Sequence, residues 1–111
     1  MVRFLFPAAA LMLSLASCVL PEAHVANLLG NYEYSRGEYQ MAMVKYLEAH
    51  DLSEADAAFV AFNLANVYYS LGELEAANDQ WEKALLSRDQ DLLFMAHFNQ
   101  GLAFYDLGRY E

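Results

Sequence analysis

"FNLANVYYSLGELEAANDQWEKA", residues Phe62–Ala84, decides how this chain folds. An apolar and aromatic run of helical length ends at Gly72, and a second run opens at Glu73. Before the glycine, Ala61, Leu64, Ala65 and Tyr68 recur at steps of three and four, which places them on one helix face. After it, Leu74, Ala77, Trp81 and Ala84 do the same. Gly72 stands where a left-handed residue closes a helix, and Glu73 puts an anion at the positive end of the next one. The stretch therefore predicts helix, glycine turn, helix.

The same pattern lies on both sides of it. "NLLGNYEYSRGEY" from Asn27 and "FNQGLAFYDLGRY" from Phe98 align with "FNLANVYYSLGEL", and their glycines, Gly37, Gly72 and Gly108, are 35 and 36 residues apart. After Gly37 come Tyr39, Ala42, Tyr46 and Ala49, at the same offsets as Leu74, Ala77, Trp81 and Ala84 after Gly72. In the first copy Ala26, Leu29 and Gly30 form the corresponding stripe. Small residues at Gly30, Ala42, Ala65, Ala77 and Gly101 leave room for helices to approach closely. Ser53-x-x-Asp56 and Ser87-x-x-Gln90 read as capping boxes that start the second and third units. Self-similarity at this period is the mark of a repeat architecture.

Starting the copies at Ala23, Ala58 and Phe94, the pattern resembles the tetratricopeptide repeat (TPR) over essentially the whole chain after its first 22 residues. The departures are Glu33 at an aromatic position, Glu54 and Asp89 in place of turn prolines, and His97 and Gln100 at apolar positions. The resemblance implies an all-α fold, a right-handed α-solenoid. Its units are 23–56 and 57–91, with a partial third at 92–111. That third unit holds a first helix and turn but lacks its second helix, so the sequence is expected to be a fragment of a longer protein, unless another chain or a second copy supplies the missing helix.

The first residues read as an address. "MVRFLFPAAALMLSLASC" has one positive side chain, Arg3, then an apolar and small-residue run from Phe4 to Ala16. That run has the length of a signal-peptide core and falls short of the ~20 residues that span a bilayer. Leu15-Ala16-Ser17-Cys18 resembles the bacterial lipobox. The resemblance implies that 1–17 is removed and that Cys18, the only cysteine of the chain, is lipidated, with 18–22 as a short linker. The linker would hold the domain within roughly 15 Å of the membrane at ~3.3–3.6 Å per extended residue. Val19 after the cysteine points to the outer membrane in a Gram-negative cell, and otherwise the anchor implies the outer face of the plasma membrane.

Length, charge and motif content narrow the function. At 111 residues this is at most one domain, and 58% hydrophobic residues suffice for a packed core. Fifteen acidic residues against six basic ones, a formal charge of −9, argue against nucleic acid as a partner. One cysteine allows no intrachain disulfide, and His24, His50 and His97 have no metal-ligand spacing, so no metal or cofactor is expected. His50-Asp51 reads as a solvated helix end, and Glu75, Asp79 and Glu82 as the water-facing side of a helix. With neither a phosphate loop nor a nucleophile motif, the chain is expected not to be an enzyme.

The resemblance implies that first helices line a groove. On that basis the candidate partner-binding residues are Asn27, Asn31, Tyr34, Phe59, Phe62, Asn63, Asn66, Tyr69, Phe98, Asn99 and Tyr105, flanked by His24, Ser70, Met95 and Leu102. Asparagine amides suit a peptide backbone and aromatic rings offer large contact area. No basic residue falls on this lining, which argues against a clamp for acidic tails. The expected role is a membrane-anchored scaffold for a protein or peptide partner in the cell envelope. A second reading is an accessory ligand-binding lipoprotein of a solute or lipid transport system.

Overall fold

The computed structural model describes residues 22–52 and 56–108. These form five α-helices and no strand: α1 Glu22–Ser35, α2 Tyr39–Leu52, α3 Ala57–Ser70, α4 Leu74–Ala84 and α5 Gln90–Asp106. The leader, Cys18, Ser53 and the last three residues lie outside the described residues. Among the described residues, no helix is long and apolar enough to cross a membrane.

The three glycines end α1, α3 and α5, with φ of 77° at Gly37, 80° at Gly72 and 70° at Gly108. A side chain would be strained there. At the first two turns the hydrogen bonds match pairwise. Gly37 N donates to Tyr34 O and Glu38 N to Glu33 O; Gly72 N donates to Tyr69 O and Glu73 N to Tyr68 O. Both turns are Schellman closures that satisfy carbonyls the helix end would leave open. Gly37 and Gly72 thereby reverse the chain, and α1 packs on α2 as α3 packs on α4.

Within each hairpin an aromatic of the second helix enters a gap left by a small residue of the first. Tyr46 lies over Gly30 so closely that a Cβ there would sit 2.5 Å from the ring. Trp81 is fully buried in a cluster with Ala61, Ala65, Ala77 and Ala84. Burying a large apolar side chain contributes roughly 1.5–3 kcal/mol, so these two rings are the largest single anchors of their hairpins. Each also finds a polar partner. Tyr46 OH donates to Asn31 Oδ1 at 2.7 Å and Trp81 Nε1 donates to Asn66 Oδ1 at 3.2 Å. Burial, with the neighbouring Tyr34 second, pushes the Tyr46 hydroxyl up to about 12.

The hairpins are joined by the odd helices. Val60, Leu64 and Val67 of α3 enter the cluster built by Ala26, Ala42, Tyr46 and Ala49. Ala96 and Ala103 of α5 likewise enter the cluster of α3 and α4. Between those two alanines the buried residue is Gln100, whose Nε2 donates to Asn78 Oδ1 at 2.9 Å and Glu82 Oε1 at 2.7 Å.

Three sequence expectations need correction. Leu29 does not join Ala26 and Gly30 in the core but is exposed, because among the described residues no helix covers its side of α1. The capping residue of α5 is Asp89, not Ser87. Its backbone is extended (φ −74°, ψ 117°) and its carboxylate accepts from Leu92 N at 2.9 Å, while Ser87 Oγ accepts from Asp89 N. The carboxylate adds a favourable charge at the helix N-terminus that a hydroxyl lacks. α5 accordingly begins at Gln90, the residue after this cap and two residues later than a Ser87 cap would place it. Glu82 is not simply a water-facing charge either, since it holds Gln100. For α3 the capping residue is Asp56, without a side-chain bond to the helix.

Candidate functional site

The odd helices gather the candidate residues into two groups. Asn27 and Asn31 of α1, Phe59, Phe62 and Asn63 of α3, and Met95 of α5 line one cleft of about 340 Å³, with His24 and Asp56 at its edge and Ala49 and Val60 also on its wall. These residues come from four helices and a turn. The helical period explains the convergence: Asn27 and Asn31 are one turn apart on α1, and Phe59 and Asn63 one turn apart on α3.

The asparagines of this cleft already have structural work. Asn63 Nδ2 donates to Asn27 Oδ1 at 2.9 Å, tying α3 to α1, and Asn31 Oδ1 accepts the Tyr46 hydroxyl. A partner in the cleft therefore meets amides whose orientation is fixed beforehand, which lowers the ordering cost of binding.

The second group lies toward α5 and outside that cleft. Asn66 Oδ1 accepts from both Trp81 and Asn99 Nδ2, the latter at 2.9 Å. Tyr69 OH donates to Asp106, which raises the Tyr69 pKa, burial adding less. The Tyr69 ring also tilts against Trp81 with centroids 5.7 Å apart. Tyr34 OH and Ser70 Oγ are 2.9 Å apart and bridge α1 to α3. Phe98 is exposed and stacks on Phe94 at 6.4 Å; Leu102 and Tyr105 are also largely exposed. The candidate residues are thus divided, with Asn31 and Asn63 on the cleft and Asn66 and Tyr69 in the α3–α5 contact.

Basic residues are absent from the odd helices, while acidic ones occur on both sides. α1, α3 and α5 contain no lysine or arginine, and carry Glu22, Glu33, Asp91 and Asp106. Among the described residues, the basic ones sit on even helices (Lys45, Lys83) or in turns (Arg36, Arg88). A wider depression of about 580 Å³ on the even-helix side is lined by Leu47, His50, Lys83, Leu86 and Arg88, among others. None of the described residues forms a group of three or more His, Cys, Asp or Glu able to hold a metal ion.

Sequence reasoning missed Asp56 at the cleft and the internal bonding of the asparagines. A signal for the second was present. Asn31 precedes Tyr46, and Asn66 precedes Trp81, by the same 15 residues, which is what one conserved-geometry hydrogen bond inside each unit would require. No family model matches the chain, and no curated protein matches it either.

Proposed function

We propose that this chain is a TPR-like α-solenoid, lipid-anchored through Cys18 in the bacterial cell envelope. It acts without catalysis, as a scaffold that holds a segment of a partner protein in the cleft between α1, α3 and α5. The observation that carries this reading is the cleft itself: Asn27, Asn31 and Asn63 offer polar atoms between Phe59, Phe62 and Met95. An extended peptide has the matching alternation of backbone amides and side chains. The absence of lysine and arginine from the three odd helices, with Asp56 at the rim, supports a neutral or basic partner segment over an acidic one.

Photo-crosslinking tests this directly. A photoreactive phenylalanine at position 59, in the full chain expressed in a bacterial envelope, is expected to give one dominant protein adduct. The same group at Leu86, which is highly exposed on the other side, is expected to give none. Adducts of equal yield and identity at both positions would overturn the cleft as the binding surface. The anchor is tested separately: Cys18→Ala is expected to abolish processing and lipid attachment, and normal processing with unchanged membrane fractionation would refute it.

A further inference from the structure

Among the described residues α2 and α4 do not touch each other, so α3 forms the floor of a recess between them. This is the depression of about 580 Å³ on the even-helix side, and it shares no lining residue with the odd-helix cleft. Its volume falls within the roughly 300–1,000 Å³ of small-molecule sites. Ala57, Ala58, Ala61 and Leu64 of α3 line it, joined by Leu47 of α2 and by Leu86 of the α4–α5 turn. Three alanines in a row of helical spacing leave the space, and the lining they leave is apolar.

The charge of this recess runs against that of the molecule. The chain carries fifteen acidic and six basic residues, yet Lys83 and Arg88 both line the depression, together with His50 of α2. The other two basic residues among those described are neutralised: Arg36 pairs with Glu33 at 3.8 Å and Lys45 with Glu48 at 3.1 Å. Lys83 and Arg88 form no ion pair with any described residue. The turn that carries Arg88 is held in place. Leu86 N donates to Lys83 O at 3.2 Å, Ser87 N to Ala84 O at 3.1 Å, and Asp89 N to Ser87 Oγ at 3.0 Å. The backbone that bears the guanidinium is thus ordered before any anion arrives, which lowers the cost of binding one.

We propose that this depression binds a small organic anion, with one carboxylate or phosphate monoester held by Lys83 and Arg88 and an apolar body resting on Leu47, Ala58 and Leu64. The planar fork of arginine matches two oxygens of such a head group, and the lysine ammonium adds a point charge. The apolar lining gives the body a place that inorganic phosphate would leave empty. An extended negative surface suits the site less well. Asp51, Glu82 and Asp89 directly follow or precede His50, Lys83 and Arg88 in the chain and are exposed, so a bilayer or polyanion would meet them too and be repelled. A small ligand also accords with the absence of a protein adduct expected at Leu86.

Octanoate and octyl phosphate are the probes, titrated into the full chain and followed through the methyl NMR signals of Leu47, Ala58 and Leu64. Saturable shifts with at least one of them are expected. Lys83→Gln with Arg88→Gln is expected to weaken binding at least tenfold while circular dichroism stays unchanged. Lys45→Gln removes the same charge from a paired lysine and is expected to change affinity less than twofold. Octylammonium, with the same body and the opposite charge, should bind at least tenfold more weakly, and so should acetate, which has almost no body. No saturable shift with either probe overturns the proposal, as does undiminished affinity in the double variant or an equal loss in Lys45→Gln. Octylammonium binding as tightly as octanoate, or inorganic phosphate as tightly as octyl phosphate, overturns it too. Shifts of these methyls by phosphatidylglycerol vesicles alone would give the cations to a membrane surface, and shifts at Met95 in their place would move the ligand to the odd-helix cleft; either result overturns it.

Discussion

The α2–α3 joint and the α4–α5 joint hold equivalent helices together by different means. At the first, Leu64 and Val67 are buried on Tyr46, with Tyr39, Met43, Tyr68 and Leu71 packed around the same cluster. At the second, the corresponding positions carry Gln100 and Ala103, Leu74 and Asn78, Phe104 and Leu107. Leu74, Asn78, Ala103, Phe104 and Leu107 line a cleft of about 220 Å³, with Glu75 and Asp79, and Gln100 spends its amide on Asn78 and Glu82. The comparison teaches that backbone geometry is set by the glycine turns and the small-to-aromatic contacts inside each hairpin. The joint between hairpins then tolerates either apolar filling or a satisfied polar bridge, because both meet the requirement that nothing buried is left without a partner.

Substitutions at the two joints should separate these modes. Leu64→Ala is expected to lose about 2–5 kcal/mol through cavity formation, and Gln100→Ala about 1–2 kcal/mol, since Asn78 and Glu82 can turn to water. Urea denaturation of the full chain measures both, and equal losses would break the comparison. The glycines of the first and third units give a sharper contrast. Gly30→Ala drives a methyl into the Tyr46 ring and is expected to cost about 1–3 kcal/mol. Gly101 meets nothing within 4 Å, so Gly101→Ala is expected to stabilise α5 by about 0.5–1 kcal/mol through helix propensity.

Transplanting the first joint into the second is a finer test. Asn78→Met with Gln100→Leu copies Met43 and Leu64 and is expected to be neutral or stabilising, whereas Asn78→Met alone is expected to cost about 1 kcal/mol by removing a Gln100 acceptor. A destabilised double variant would mean that the polar bridge is required by the backbone there. A last effect is pH-dependent. The folded chain holds the Tyr46 proton up to about 12, above the ordinary tyrosine value near 10, so the unfolded chain ionises first. The contribution of Tyr46 is complete below pH 10 and is lost as pH rises toward 12. Tyr46→Phe should flatten that part of the stability profile while also removing the hydrogen bond to Asn31.

Much of this was legible from residues alone, for local reasons. The glycine turns, the helices they join and the small residues that let helices approach follow from spacing, because they depend on residues close together in the chain. That Trp81 packs among Ala61 and Ala65 required the structure. Asp89 was missed as a cap because serine two residues earlier satisfied the same pattern, and only backbone geometry separates them. Leu29 was misplaced because a periodic stripe says which residues share a face, not whether anything covers it.

The sequence by itself determined five helices, their turns and their apolar faces, since these depend on local dihedral preference and helical period. Only the tertiary structure decided which asparagines face a cleft and which bind a neighbouring helix. Asn63 and Asn66 lie three residues apart on α3, yet one meets Asn27 and the other Trp81 and Asn99. A hydrogen bond needs its partner within about 3 Å, and that distance is set by how whole helices stack rather than by any pattern within one of them.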